Sequence, residues 1–348
     1  MSEAVSIGTT AKKEKIAMQG AIKMDATAAA RTRDERLIDW CNRPFDSRGA
    51  RPLLARHRLA QMDLFTDEAL IDMLDRYPRN RLQAWTMGTD PLRREDWQPV
   101  DTTGVSGRDL LAAVKSGRIW YNILRLDLFD RQYRDIVNQL YSEMAEASPG
   151  FTPVSTVGTL LLSSPNAMVY YHADGPPTTL FHVRGQKRMW IYPREERFVS
   201  QHLLEEIFGS AMDEEIPYSP EFDDYAEMFD LGPGDLVWWP QNAPHRIENL
   251  DTLNVSLSTR YHTEASERRK LVYNANRFFR RKLGLGQLSV DESGPASFAK
   301  CFIYSLCRRA GWDSKTEGYV YKAKVRVDPK GTLGLSPLAE PVTPPFSR

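Results

Sequence analysis

Between Pro153 and Glu264 the chain breaks into short β-like runs, and this stretch limits the fold more than any other part of the sequence. The runs fall at 157–162, 167–172, 179–184, 187–192, 228–231, 236–239 and 254–261, with Gly, Pro and Asn between them. Spacing of this kind predicts an antiparallel sandwich or barrel. One helical insertion, 194–208, interrupts the series. Helical patterns flank it. Thr66 can cap a helix with Asp67 and Glu68 in its first turn, with Leu70, Ile71 and Leu74 as its apolar stripe, ending before Pro78. Ser106 with Asp109 has the form of a capping box for a second helix that stops at Gly117. A β-like run over 119–124 and a helix over 130–147 follow. Beyond Glu264 two further helices are expected, 266–283 and 297–309, and then a Pro-rich tail over 337–345.

The expected organisation is therefore a mainly β core with flanking helical segments. Residues 1–33 form a flexible tail, 34–150 an α/β segment packed on the core, 151–263 the core itself, and 264–348 a helical segment with the Pro-rich tail. Lys plus Arg and Asp plus Glu are equal at 46 each, so no overall field draws the chain to nucleic acid or to an anionic membrane. Arg268, Arg269, Lys270, Arg277, Arg280, Arg281 and Lys282 read as a solvated helix face. The three cysteines, Cys41, Cys301 and Cys307, make no C-x-x-C pair and read as reduced thiols. With no apolar run long enough to span a bilayer and no leader-like segment, a cytoplasmic location is expected.

His172 and Asp174 flank Ala173 at the end of one β-like run, and residues two apart in a strand point the same way. His245 follows a run that rises from Pro233-Gly234-Asp235 and ends in Pro244. Two histidines and one carboxylate are a ligand set for non-haem Fe(II) that leaves other coordination positions open. Lys187 opens a new run just past Gly185. On an inward face its ammonium needs a counter-charge, so the residue implies an anionic guest; on an outward face it is a surface lysine beside Arg188.

From Leu160 to Tyr261 the chain resembles the cupin-fold, JmjC-type Fe(II)- and 2-oxoglutarate-dependent oxygenases. The resemblance lies in Tyr171-His172-Ala173-Asp174, in the run from Val183 through Gly185-Gln186-Lys187-Arg188 to Pro193, and in Gly234-Asp235 leading to His245. It implies a double-stranded β-helix, iron held by His172, Asp174 and His245, and Lys187 paired with the distal carboxylate of 2-oxoglutarate. The clamp departs from the family pattern at its edges: Val169 stands where Thr or Ser is common, Thr178 where Asn is, and His182 where Gln is. Thr178, Ser258, Asn122 and His182 are candidate contacts to co-substrate or substrate. Asn122 shares a strand face with Trp120, which reads as core. For His182 the simpler reading is a satisfied core histidine.

The implied activity is hydroxylation of an unactivated C–H in a protein or peptide side chain or an amino-acid-like substrate, with O2 consumed and succinate and CO2 as co-products. A metal-dependent cupin isomerase or hydrolase would need the triad but not Lys187, and N-demethylation would begin from the same oxidative attack. A non-catalytic regulator on the same fold would need a nucleic-acid signature that the sequence lacks. The apolar faces of the last two helices, Leu271, Val272, Ala275, Phe278 and Phe279 on one and Phe302, Ile303 and Leu306 on the other, need cover. The family resemblance makes a homodimer through these helices the expected cover.

Overall fold

The structure is a computed structural model and describes residues 35–40, 45, 51–209, 214, 216–313 and 320–347. The expected tail, 1–33, and Cys41 lie outside the described residues. In chain order the strands are β1 (Ile38–Asp39), β2 (Leu53–His57), β3 (Leu82–Thr86), β4 (Val100–Asp101), β5 (Ile119–Ile123), β6 (Ser155–Ser163), β7 (Met168–His172) and β8 (Thr178–Arg184). They continue as β9 (Lys187–Ile191), β10 (Glu227–Leu231), β11 (Asp235–Trp238), β12 (His245–Asn249), β13 (Asn254–His262), β14 (Ala323–Thr332) and β15 (Leu335–Val342).

The molecule is mainly β with antiparallel sheets and several helices. A large sheet runs in the order β1-β2-β11-β8-β13-β6-β5-β3 and a small one in the order β10-β9-β12-β7. Alternation along the strands sorts the side chains into layers. Leu160, Leu162, Phe181, Val183, Val255, Leu257 and Leu236 turn to the outer face of the large sheet, into one core with the helices Asp67–Arg76, Gly107–Ser116 and Arg131–Ala147. Leu180 and Val237 of the large sheet turn the other way, against Met189, Ile191, Leu231 and Ile247 of the small one. The two sheets therefore pack face to face. The small sheet's outer face carries Tyr171, Trp190 and Tyr192 against the helix Gln201–Phe208.

Local chemistry explains the helix ends. The Thr66 hydroxyl accepts from Ala69 N–H, and the Ser106 hydroxyl accepts from Asp109 N–H. Each such cap stabilises its helix by about 1 kcal/mol. Ser106 also donates to the Asp109 carboxylate, so the reciprocal half of the expected box is a side-chain contact. The insertion helix is shorter than expected because Ser200, not Arg194, caps it, accepting from Leu203 N–H.

Some expectations are overturned. The Pro-rich 337–345 stretch is not a tail. Most of it lies in the β14–β15 hairpin, whose β14 also pairs in parallel with β4. Pro337 and Pro341 are tolerated because β15 is an edge strand of that sheet. Phe302, Ile303 and Leu306 do not pack on the preceding helix. The seam between Glu264–Leu283 and Pro295–Arg309 is made by Val272, Ala275, Phe278, Cys301 and Tyr304, which leaves the other three exposed. Cys301 and Cys307 are free thiols.

Candidate metal centre and anion pocket

His172 ends β7 and His245 begins β12, and the two are cross-strand partners. His245 was expected just past the end of the preceding run. It instead opens a strand of its own, because the 240–244 turn separates it from β11. Farther along the pairing, Ile247 faces Val169, so two steps on β12 span three on β7. This β-bulge changes the phase of β7. Val169 packs with the core between the sheets, Tyr171 packs on the outside, and His172 stands beside the His245 ring, 4.0 Å between centroids. Bulges of this kind re-aim a side chain at a functional site.

The imidazoles are oriented alike. His172 Nδ1 lies 2.7 Å from the Tyr170 carbonyl, and His245 Nδ1 lies 3.2 Å from the Ala243 carbonyl. Donation through Nδ1 fixes the tautomer and leaves each Nε2 lone pair free for another partner. Burial, followed by the neighbouring His172, pushes the His245 pKa well down, so its ring is neutral, as a metal ligand requires. Trp239 walls the ring on its other side, 4.7 Å away.

Asp174 does not share the strand pleat with His172, since β7 has ended. The loop itself places it: Asn242 Nδ2 donates to the Asp174 carbonyl at 2.7 Å, and Ala173 N–H donates to the Glu214 carbonyl at 2.9 Å. The Asp174 carboxylate is buried, with Oδ2 3.7 Å from His245 Nε2. One ligand atom from each of His172, Asp174 and His245 lies within 4.8 Å of the others, and no other such cluster occurs among the described residues. Two imidazoles and one carboxylate fit a divalent first-row metal and leave positions open.

Lys187 begins β9 on the face it shares with Met189 and Ile191, and is 4 % exposed. Its ammonium donates to Ser256 Oγ at 3.1 Å, with no carboxylate partner among the described residues. Burial lowers its pKa to about 7. Ser256 also contacts His182 Nδ1 at 3.0 Å, while His182 Nε2 lies 3.0 Å from the Gly185 carbonyl. Burial, then the Lys187 charge, drives the His182 pKa to about 2. A neutral His182 donating through Nε2 accepts from Ser256, whose oxygen in turn accepts from Lys187. The structure thus places His182 behind the lysine as a hydrogen-bonded buried histidine.

The remaining candidates differ. Ser258 is half-buried on the face of Ser256, two residues nearer Asp174 along β13. The Thr178 hydroxyl donates to the Pro176 carbonyl. Asn122 shares the inner face with Trp120 and lies across β6 from Ser256, two strand spacings or about 10 Å away. On the face that alternation in the sequence assigns to Asn254, Ser256 and Ser258, it is Ser256 that touches Lys187, and two residues escaped the sequence reading: Arg260, whose Nη2 lies 3.1 Å from Asp174 Oδ1, and Glu214, whose Oε2 lies 2.9 Å from that same Nη2. The alternation through Asn254, Ser256 and Ser258, carried one step further, reaches Arg260. Nothing local marks Glu214.

No protein-family model and no curated protein matches the sequence. Among solved structures the chain is similar to an Escherichia coli YcfD structure, at 13% identity over 74% of this chain and 65% of that one, with a TM-score of 0.42. It is also similar to the E. coli ribosomal oxygenase YcfD in complex with cobalt and 2-oxoglutarate, at 12% identity over 79% and 70% of the two chains, TM-score 0.42. A conserved Streptococcus pyogenes protein of unknown function, SPY1581, is similar at 10% identity over 33% and 69%, TM-score 0.21. The chain spans 65% and 63% of the length of two of the YcfD chains. Likenesses this distant leave the reading to the chain's own residues.

Proposed function

We propose that the chain is an Fe(II)- and 2-oxoglutarate-dependent oxygenase whose two sheets form a double-stranded β-helix, with 151–263 as its catalytic core. The observation that carries this reading is Lys187: a buried ammonium with no counter-ion among the described residues, on an inner wall of the same sandwich that holds the two-histidine, one-aspartate cluster. An uncompensated buried cation is unfavourable, and a carboxylate delivered by a ligand removes the cost. A metal-dependent isomerase or hydrolase needs His172, Asp174 and His245 but has no use for Lys187.

In this reading His172, Asp174 and His245 hold the iron, and Lys187 with Ser256 grips the distal carboxylate of 2-oxoglutarate. Ser258 lies between the two ends of that span. Iron bound there, with 2-oxoglutarate and O2, would supply oxidative decarboxylation to succinate and CO2 coupled to hydroxylation of a substrate C–H. The residues position and neutralise; none is assigned a proton transfer.

A cavity of about 900 Å3 opens beside the 240–243 turn that orients His245, with Ile191, Pro177, Gln241, Ala243 and Tyr225 among its lining residues. Its size suits a peptide segment or an amino-acid-like substrate better than a very small metabolite. N-demethylation starts from the same oxidative attack and remains the alternative outcome. No described helix is long and apolar enough to cross a membrane. We further propose that Phe298, Phe302 and Leu306, exposed at helical spacing on Pro295–Arg309, form a homodimer face.

The test is succinate release with Fe(II), ascorbate and 2-oxoglutarate. Turnover that requires Fe(II) and is lost in His172→Ala is expected; an Fe(II)-loaded protein that never consumes 2-oxoglutarate removes the reading.

A further inference from the structure

Arg260 lies on the inner face of β13, two steps beyond Ser258, and its strand partners are Thr178 and Val157. Among the described residues it is the hydrogen-bond donor to the Asp174 carboxylate, and the contact goes to one oxygen only: Arg260 Nη2 to Oδ1 at 3.1 Å. The other oxygen, Oδ2, is the one that lies 3.7 Å from His245 Nε2. The same Nη2 reaches Glu214 Oε2 at 2.9 Å. Glu214 in turn accepts from Ala173 N–H through its carbonyl and from Gly175 N–H through Oε1. Arg260 and Glu214 therefore hold the Asp174 side chain and the backbone on both sides of it.

We propose that Arg260 is a positioning residue that makes Asp174 a one-oxygen ligand. This rests on the metal reading of His172, Asp174 and His245 given above. With Oδ1 held by a guanidinium, only Oδ2 is turned toward the histidines, and the coordination position a second carboxylate oxygen would take stays open for a guest. Without Arg260 two things change together. The Asp174 and Glu214 carboxylates lose the cation between them, and like charges so close turn away from one another. Oδ1 is then free to enter the site. The consequence is a split: the metal is still held, since all three ligand side chains remain, while an anionic chelating co-substrate loses both its place and a nearby positive charge. A residue that only braced the loop would not split the two affinities, because a displaced Asp174 weakens both.

The test uses the full chain with Co(II) as probe, titrating metal and then 2-oxoglutarate into wild type, Arg260→Gln, Arg260→Lys and His172→Ala, with visible Co(II) absorption as the readout. For Arg260→Gln the expected result is Co(II) bound as tightly as by wild type, a weaker visible band as the coordination number rises, and 2-oxoglutarate affinity down by about tenfold or more. Arg260→Lys, which keeps the charge without the planar fork, should recover part of that loss. Wild-type 2-oxoglutarate affinity in Arg260→Gln overturns the proposal, and so does a parallel loss of Co(II) and 2-oxoglutarate binding. If wild type binds no Co(II), or His172→Ala binds it equally well, the metal reading itself is at fault and not the role of Arg260.

Discussion

His172 and His245 face each other across β7 and β12, and each directs Nδ1 at the carbonyl two residues before it, Tyr170 for one and Ala243 for the other. The same backbone device therefore sets both tautomers before any metal arrives. It follows that removing either imidazole should cost metal, not fold. His245→Ala should lose Co(II) binding while the metal-free protein melts no lower than wild type by more than a few degrees, since a buried polar ligand adds little to stability. Differential scanning calorimetry with a Co(II) titration checks both. Retained Co(II) affinity would exclude His245 as a ligand.

Lys187 gives the free protein a pH signature. Its folded pKa, about 7, lies below the ordinary 10.5, so between those values the unfolded chain binds more protons than the folded one. Stability from this group therefore rises with pH across that window, and the full penalty is present below it. Lys187→Met should stabilise the metal-free protein at pH 7, and the advantage should shrink as the pH is raised toward 10. Urea midpoints for both proteins, measured at several pH values, decide it; a gap that does not narrow speaks against a buried, depressed lysine.

Binding should reverse that depression. A carboxylate beside the ammonium restores its proton, so 2-oxoglutarate binding at pH 8 should take up close to one proton from buffer in wild type and none in Lys187→Ala. Calorimetry in two buffers of different ionisation enthalpy reads the number directly. Equal uptake by both proteins would place the titrating group elsewhere.

Ser256 and Ser258 separate a contact from a neighbour. Only Ser256 touches the Lys187 ammonium, so Ser256→Ala should raise the KM for 2-oxoglutarate by about tenfold and Ser258→Ala by less, a difference of one charge-assisted hydrogen bond. Steady-state succinate assays on the two variants rank them. The reverse order would move the co-substrate along β13.

How far the site was legible follows from the range of the signals. His172, Asp174, Lys187 and His245 stood out because each sits at a local pattern: a run end, a Gly-x-Lys step or a Pro-His step. Ser256 and Arg260 acquire roles only through pairing, when β13 lies beside β8 and opposite β7 and β9. The bulge that turns His172 inward exists only as a register difference with β12. The runs of β5 to β11 and of β13 were readable in the sequence, but β1, β2 and β3 at the two ends of the large sheet, the two-residue β4, and β12, which His245 opens, were not, since strands this short carry little periodicity of their own. The β14–β15 hairpin was hidden by its prolines.

The exposed stripe on Pro295–Arg309 makes association measurable. Phe302 and Phe298 are 65 % and 59 % exposed, so a homodimer seated there should fall apart in Phe302→Glu without loss of fold. Light scattering at micromolar concentration should give twice 39.8 kDa for wild type and 39.8 kDa for the variant. A wild-type mass of 39.8 kDa removes the dimer.

The most direct measurement of the central claim is a titration of 2-oxoglutarate into Co(II)-loaded wild type and Co(II)-loaded Lys187→Ala, followed in the visible spectrum. The expected result is a saturable change at one equivalent in wild type, shifted to far higher concentration in the variant, with Co(II) held equally by both. Co(II) bound through His172, Asp174 and His245 but indifferent to 2-oxoglutarate, or an equal response in the two proteins, would contradict it.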